Sequence, residues 1–233
     1  MKILVLGASG MAGHTISLYF KEKGHDVYAY STSKVSFCKS IVGDVFNLIH
    51  LKNEILKNNF DVIINCIGLL NKTAEDNPSK AIFINSYLPF YLSDLIEGSN
   101  TKLIHMSTDC VFAGNSGPYS ESSLKDGRTF YDRTKALGEI NNNNNLTFRN
   151  SIIGPDMKSN GIGLFNWFMK QDSDIIGYNK AIWTGVTTLT LAKAMEKAIA
   201  DDLSGLYNLV NNSSISKYQL LKLFNNEFKN GEI

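Results

Sequence analysis

Up to residue 149, short apolar runs alternate with longer stretches whose apolar positions recur at helical spacing. The runs fall at residues 3–6, 27–30, 62–66, 103–106 and 146–149. They are apolar at consecutive rather than alternate positions, which predicts strands covered by helices on both faces. Strands of this kind separated by helices form βαβ units, so the pattern predicts an α/β fold with a doubly wound parallel sheet. Helices are expected over residues 11–23, 47–58, 79–98 and 130–140. The asparagine run at 141–145 ends the last of them, because asparagine competes with a helix for local hydrogen bonds and tolerates left-handed backbone. Beyond Arg149 the rhythm changes. Ile153-Gly154-Pro155 breaks the chain, and a glycine-rich, aromatic stretch runs from Gly161 through Trp167 to Trp183. A helix is then expected at 189–200, a strand at 206–210 and a last helix at 217–228.

Composition narrows the choice of ligand. Lys and Arg number 23 against 22 Asp and Glu, for a net charge of +1, and no long run of one sign occurs. The electrostatic term that drives nucleic-acid binding is therefore weak, and a neutral or small anionic ligand fits better. The opening apolar run is too short for a signal-peptide core, and no run approaches the length of a membrane span. The expectation is a cytoplasmic protein with no nucleic-acid or membrane partner. Cys38, Cys66 and Cys110 are odd in number and lack CxxC or Cys/His pairing, which argues against a disulfide framework and a metal site. Buried reduced thiols are expected.

The first strand leads into Gly7-Ala8-Ser9-Gly10-Met11-Ala12-Gly13, and a helix follows at once. Gly7 permits the tight exit from the strand, Gly10 lets backbone approach a pyrophosphate, and Gly13 lets helix pack closely on sheet. The helix N–H groups then face the anion, so the turn at Gly7, Ser9, Gly10, Met11 and Gly13 is a candidate dinucleotide site. The second strand ends in Ser31-Thr32-Ser33-Lys34, where an NAD-selective fold places an acidic residue to hold the ribose 2′-hydroxyl. None is there. Ser31 and Ser33 are placed to donate to a 2′-phosphate and Lys34 to supply charge, which favours NADP(H) and leaves NAD(H) open.

Tyr131 and Lys135 stand four residues apart, on one face of a predicted helix. A phenol is a poor proton donor at neutral pH unless a neighbouring cation stabilises its anion, and Lys135 is such a cation. Upstream, the strand at 103–106 ends in Ser107-Thr108-Asp109, at the sheet edge where α/β proteins bind ligands. A YxxxK pair or a Ser-Thr-Asp exit alone is commonplace. Glycine turn, strand-end hydroxyl and YxxxK in that order suit carbonyl reduction, in which a positioned acid protonates the oxygen as hydride reaches carbon.

With these residues the chain resembles the extended short-chain dehydrogenase/reductases, and within them the dTDP-4-dehydrorhamnose reductase group. The resemblance rests on the 7–13 turn, Gly43-Asp44-Val45, Asn65-Cys66-Ile67-Gly68, Asn85, Ser107 through Gly114, and Tyr131 through Glu139. It spans nearly the whole chain and is most specific in STDxVFxG followed by YxRTKxxGE. It implies an NAD(P)-binding Rossmann domain over 1–151 with 186–211 packing back onto it. Residues 152–185 and 212–233 would form a small, incomplete C-terminal substrate lobe. Thr108 would be the catalytic hydroxyl, Tyr131 the general acid, and Lys135 the group that binds the nicotinamide ribose and lowers the tyrosine pKa. Asp44 and Val45 would contact adenine, Cys66, Ile67 and Gly68 would line the cofactor, and Asn85 would support its site. Asp109 would lie beside the sugar, with Trp183 as a stacking candidate. The implied reaction is NADPH-dependent reduction of a nucleotide-linked 4-keto-6-deoxy sugar, in deoxysugar or cell-surface polysaccharide biosynthesis. An NAD-dependent sugar-nucleotide epimerase and a non-catalytic NADP-binding regulatory subunit remain as alternatives. A homodimer through a helical face is compatible with the sequence. Two departures bear on the sugar: Cys110 replaces the group's tyrosine after Ser-Thr-Asp, and Ile182 through Thr188 lacks the group's proline-containing stretch.

Overall fold

The computed structural model describes residues 1–157, 161 and 163–229. Parts of the expected substrate lobe, at 158–160, 162 and 230–233, lie outside the described residues. The chain opens with β1 (Lys2–Leu6), α1 (Met11–Glu22), β2 (Asp26–Ser31), β3 (Lys39–Val42), α2 (Leu48–Asn58) and β4 (Val62–Asn65). Short helices α3 (Asn71–Asp76) and α4 (Pro78–Ala81) lead through a π-helical turn (Ile82–Tyr87) into α5 (Leu88–Leu95). Then come β5 (Lys102–Met106), α6 (Phe130–Leu137), β6 (Leu146–Arg149), β7 (Ile152–Ile153) and α7 (Leu164–Met169). The chain continues with β8 (Ile182–Trp183), β9 (Val186–Thr187), α8 (Thr188–Ala200), β10 (Gly205–Asn208), β11 (Ile215–Ser216) and α9 (Lys217–Phe228).

Seven strands form one sheet in the order β10-β6-β5-β4-β1-β2-β3, and every pair in it is parallel. Successive side chains of β1 point to opposite faces and feed two cores. Ile3 and Val5 join Ile16 and Phe20 of α1 with Leu191 and Met195 of α8. Leu4 and Leu6 join Leu51 and Ile55 of α2 with Leu88 and Leu92 of the α5 segment. Each fully buried aliphatic side chain of this kind contributes roughly 1.5–3 kcal/mol, and the two-sided burial is why these strands read as unbroken apolar runs. The strand order reverses at β1, which has β2 on one side and β4 on the other. That reversal opens a crevice above the carboxyl ends of the strands.

The sheet edge continues through β10, which pairs with β6, and α8 packs against α1. A smaller unit brings α7 and α9 together around Phe168, Leu220, Leu221 and Phe224, with Trp183 and Ile215 against them. Its β8 and β11 pair antiparallel, while β7 and β9 pair in parallel. Among the described residues, no helix is long and apolar enough to cross a membrane.

Four expectations change. The helix predicted over 79–98 is broken into α4, the π-helical turn and α5, because tertiary hydrogen bonds draw Asn85 out of regular register. The helix predicted to 140 ends at Leu137 with Gly138 as its C-cap, and Gly138 is held to glycine because a Cβ there would lie 1.9 Å from the Asn85 carbonyl oxygen. An additional edge strand, β3, appears at half-exposed positions with no apolar run to announce it. Finally, Cys110 is exposed, while Cys38 and Cys66 are only partly covered; all three are free thiols.

Candidate active site

Four strand exits meet at the carboxyl edge of the sheet. Gly7 leaves β1 with φ +78°, and a Cβ there would lie 2.9 Å from Ile67 Cγ1, so the exits of β1 and β4 touch. A Cβ at Gly13 would fall 2.3 Å from the Gly7 carbonyl oxygen, which reserves the position for glycine. Gly10 precedes α1 without a capping side chain, and the first turn of α1 carries no acid. Its leading N–H groups, around Ser9 and Met11, are thereby left to face an anion. Met11 also reaches the small lobe, where a Cβ on Gly163 would stand 3.2 Å from its sulfur.

At the β4 exit, Asn65 Oδ1 accepts from Ile67 N at 3.1 Å. Asn85 is fully buried; its Oδ1 accepts from Leu69 N at 2.8 Å, and its Nδ2 donates to Leu69 O at 2.9 Å and Thr134 Oγ1 at 3.1 Å. Asn85 thus ties the loop carrying Cys66, Ile67 and Gly68 to the helix carrying Tyr131 and Lys135. Burial pushes the Cys66 thiol up to about 12, with the Lys135 charge pulling the other way.

The β2 exit is looser. Ser31 is buried and its hydroxyl donates to Ser33 O at 2.7 Å, so that side chain is already committed. Ser33 and Lys34 are exposed. Asp44 is exposed, with Oδ1 accepting from Phe46 N at 3.0 Å, whereas Val45 is buried beside Tyr30 and Leu51.

At the β5 exit, Ser107 and Thr108 are buried, and Thr108 Oγ1 accepts from Cys110 N at 3.2 Å. Asp109 and Cys110, next in sequence, are exposed. Helix α6 starts from a capping box between Thr129 and Asp132, which fixes the first turn and with it Tyr131. Tyr131 is 7% and Lys135 3% exposed, which excludes a solvated polar helix face. Burial holds the Tyr131 phenol above its ordinary value; the neighbouring Thr108 hydroxyl draws it down, and Cys110, Asp109 and Asp132 push it up. Lys135 is not among the groups that lower it: its Nζ donates to Met106 O at 2.6 Å. Burial lowers the Lys135 ammonium to about 8, against the opposing pull of Glu139 and Cys66.

The structure therefore gathers Thr108, Tyr131 and Lys135 between the β4 and β5 exits, beside the glycine turn. Trp183 stands apart in the small lobe, with its indole N–H donating to Ser151 Oγ at 2.8 Å and its ring packed on the Phe168 cluster. The motif reading overlooked a buried polar group beneath the site. Glu139 Oε1 accepts from Ser107 Oγ at 2.8 Å and Arg149 Nε at 2.7 Å, while Oε2 accepts from Arg149 Nη2 at 2.9 Å. Its sequence signal is Arg149 itself, a charge inside a strand covered on both faces, which demands a buried partner.

A parallel sheet with this reversal, a GxxGxxG turn at its centre and a buried Tyr-Lys pair beside a strand-end threonine define an extended short-chain dehydrogenase/reductase. The sequence matches the family described as RmlD substrate binding domain over residues 1–232, and the chain belongs to that family. A dTDP-4-dehydrorhamnose reductase of Mycolicibacterium smegmatis is 30% identical over 141 residues, 59% of this chain and 40% of that reductase. The aligned stretch is thus less than half of that relative's length. A solved structure of a hypothetical dTDP-4-dehydrorhamnose reductase from Sulfolobus tokodaii is similar with a TM-score of 0.86 at 24% identity, covering 98% of this chain and 82% of that one. A dTDP-4-dehydrorhamnose reductase from Bacillus anthracis, solved in complex with NADP, gives a TM-score of 0.82 at 21% identity, covering 97% and 81%.

Proposed function

We propose that the protein reduces a nucleotide-linked 4-keto-6-deoxy sugar with NADPH, as a dTDP-4-dehydrorhamnose reductase-like enzyme of deoxysugar or polysaccharide biosynthesis. The observation that carries this reading is the enclosure of Thr108, Tyr131 and Lys135 together at the crevice edge, next to an uncapped helix N-terminus. A binding module needs the helix terminus but has no use for a buried phenol beside a strand-end hydroxyl.

The chain's residues fit the dinucleotide. The first turn of α1 offers N–H groups with neither an acid nor a capping side chain in the way, and the close contact at Gly13 brings helix and turn together. Gly7, Ser9, Gly10, Met11 and Gly13 would hold the pyrophosphate, with Ser33 and Lys34 beside the 2′-phosphate and Asp44 and Val45 beside adenine. Cys66, Ile67 and Gly68 would line the nicotinamide half, with Asn85 holding that loop in place. When bound, the cofactor supplies the hydride. Thr108 Oγ1 would hydrogen-bond the sugar ketone, and Tyr131 Oη would give its proton to the oxygen as negative charge develops there. Lys135 would turn from the Met106 carbonyl toward the nicotinamide ribose and stabilise the phenolate left behind. The small lobe, 152–185 with 212–233, would carry the sugar, with Asp109 at its edge.

A screen of NADPH and NADH oxidation across dTDP- and UDP-linked 4-keto sugars tests the reading. Net NADPH oxidation with a 4-keto-6-deoxy sugar is expected. Tightly held NAD with interconversion of sugar epimers and no net cofactor consumption would replace it with an epimerase.

A further inference from the structure

We propose that Glu139, two residues past the end of α6, is the positioning residue of this site: its carboxylate locks the strand end bearing Thr108 to the helix bearing Tyr131 and Lys135. The inference rests on the reductase reading for its link to turnover, while its structural core does not.

The Glu139 side chain is only 1% exposed, and groups from three other segments converge on it. Ser107 Oγ, adjacent to Thr108, donates to Oε1 at 2.8 Å. Arg149 of β6 grips both oxygens, at 2.7 and 2.9 Å, and Lys125 approaches Oε2 at 3.2 Å from the loop between β5 and α6. Arg149 Nη1 donates in turn to Glu121 O at 3.1 Å, and Glu121 Oε1 accepts from Asn208 N of β10 at 2.8 Å. One carboxylate therefore fixes the β5 exit, the loop after it, β6 and the end of α6 against one another. A two-pronged Arg-carboxylate pair with an added hydroxyl donor leaves little freedom of orientation.

The charge balance gives the carboxylate a second task. Lys135 sits one turn earlier and is buried as well. The groups facing it are Met106 O and the His105 ring from β5, the Cys66 thiol just past β4, and Glu139. Burial and Lys135 itself hold His105 well below its ordinary value, so it stays neutral. Burial also keeps the Cys66 thiol protonated. Glu139 is then the anion that offsets the ammonium. Burial would raise the Glu139 carboxyl, but the Arg149 and Ser107 hydrogen bonds and the Arg149 and Lys125 charges outweigh it and keep the group ionised. Removing that anion leaves the buried ammonium without an opposing charge, which favours its neutral form.

The test is a pH titration of the Lys135 side chain by 13C NMR on the full chain without cofactor or sugar, with the signal assigned by its absence in Lys135→Met. In Glu139→Gln the midpoint is expected to move to lower pH than in the wild type. Where turnover is available, kcat should fall about ten-fold or more, with the sugar KM changed less than about three-fold. Ser107→Ala should reduce kcat while leaving the Lys135 midpoint in place, separating the lock from the charge. If Glu139→Gln fails to fold because Arg149 is left unpaired, the double variant Glu139→Gln with Arg149→Met removes both charges, and a downward shift smaller than that of the single variant is expected. An unchanged Lys135 midpoint in the folded variant, or a kcat unchanged in both Glu139→Gln and Ser107→Ala, overturns the proposal. A wild type that turns over no keto sugar would sink the reductase reading instead, and the titration would still decide the role of Glu139.

Discussion

The two ends of the crevice are built on opposite terms. Around Tyr131, the groups that would handle the proton are enclosed and tied: Thr108 and Lys135 are buried, and Glu139 and Asn85 pin the segments that carry them. At the β2 exit the side chains that would read the adenosine ribose stand in solvent, and the one buried hydroxyl, of Ser31, is spent on its own loop. Proton transfer depends steeply on geometry and needs such enclosure, whereas the choice between a 2′-phosphate and a 2′-hydroxyl needs only charge within reach. Substitutions should therefore act abruptly at one end and gradually at the other.

Lys135→Met should have the largest effect. It is expected to reduce turnover by on the order of 10²–10⁴-fold and to weaken NADPH as well, because one ammonium would serve both phenol and ribose. Steady-state kinetics paired with calorimetry checks both, and loss of rate with unchanged cofactor affinity would detach Lys135 from the ribose. Thr108→Val comes next, with a fall in kcat on the order of 10²–10³-fold, the range for removing one donor to a developing oxyanion. Its NADPH affinity should stay near that of the wild type.

At the other end, Lys34→Glu should weaken NADPH by about 1–3 kcal/mol and spare NADH, since a carboxylate repels a 2′-phosphate but accepts from a 2′-hydroxyl. Equal losses for both cofactors would mean that Lys34 does not distinguish them. The last effect is on stability rather than on turnover or binding. Lys135 is lowered from 10.5 to about 8 by burial, so between those values the unfolded chain binds the extra proton. The cofactor-free wild type should therefore gain stability relative to Lys135→Met as pH rises through that window, at up to ~1.4 kcal/mol per pH unit. Denaturant titrations at pH 7, 8.5 and 10 would show it, and parallel curves would mean that the ammonium is hydrated in the folded protein.

The same contrast explains what could be read from the sequence. Strands β1, β4 and β5 are legible because helices cover both faces and most positions must be apolar. The glycine turn is legible because Gly13 meets backbone at 2.3 Å. Edge strand β3 is silent, since Lys39–Val42 is half exposed and carries no two-sided pattern. The π-helical turn is silent for a different reason: its geometry follows from what Asn85 bonds to in other segments, and local propensity holds no trace of that. Trp183 shows the limit of residue type alone, because a ring suited to stacking on a sugar is equally suited to the Phe168 cluster, where it lies. Glu139 and Arg149, a carboxylate one turn after Lys135 and a charge ending an apolar strand, went unassigned because only the fold makes them partners.

The central claim is that Tyr131 gives the proton, and Tyr131→Phe tests it most directly, because the ring and its packing remain while the proton is lost. Single-turnover oxidation of NADPH with a competent keto sugar, measured beside NADPH affinity on the same preparation, is the decisive comparison. The account predicts a rate lower by roughly 10²–10⁴-fold with cofactor affinity and folding retained. A rate near that of the wild type would contradict it and return Tyr131 and Lys135 to the status of a buried polar pair.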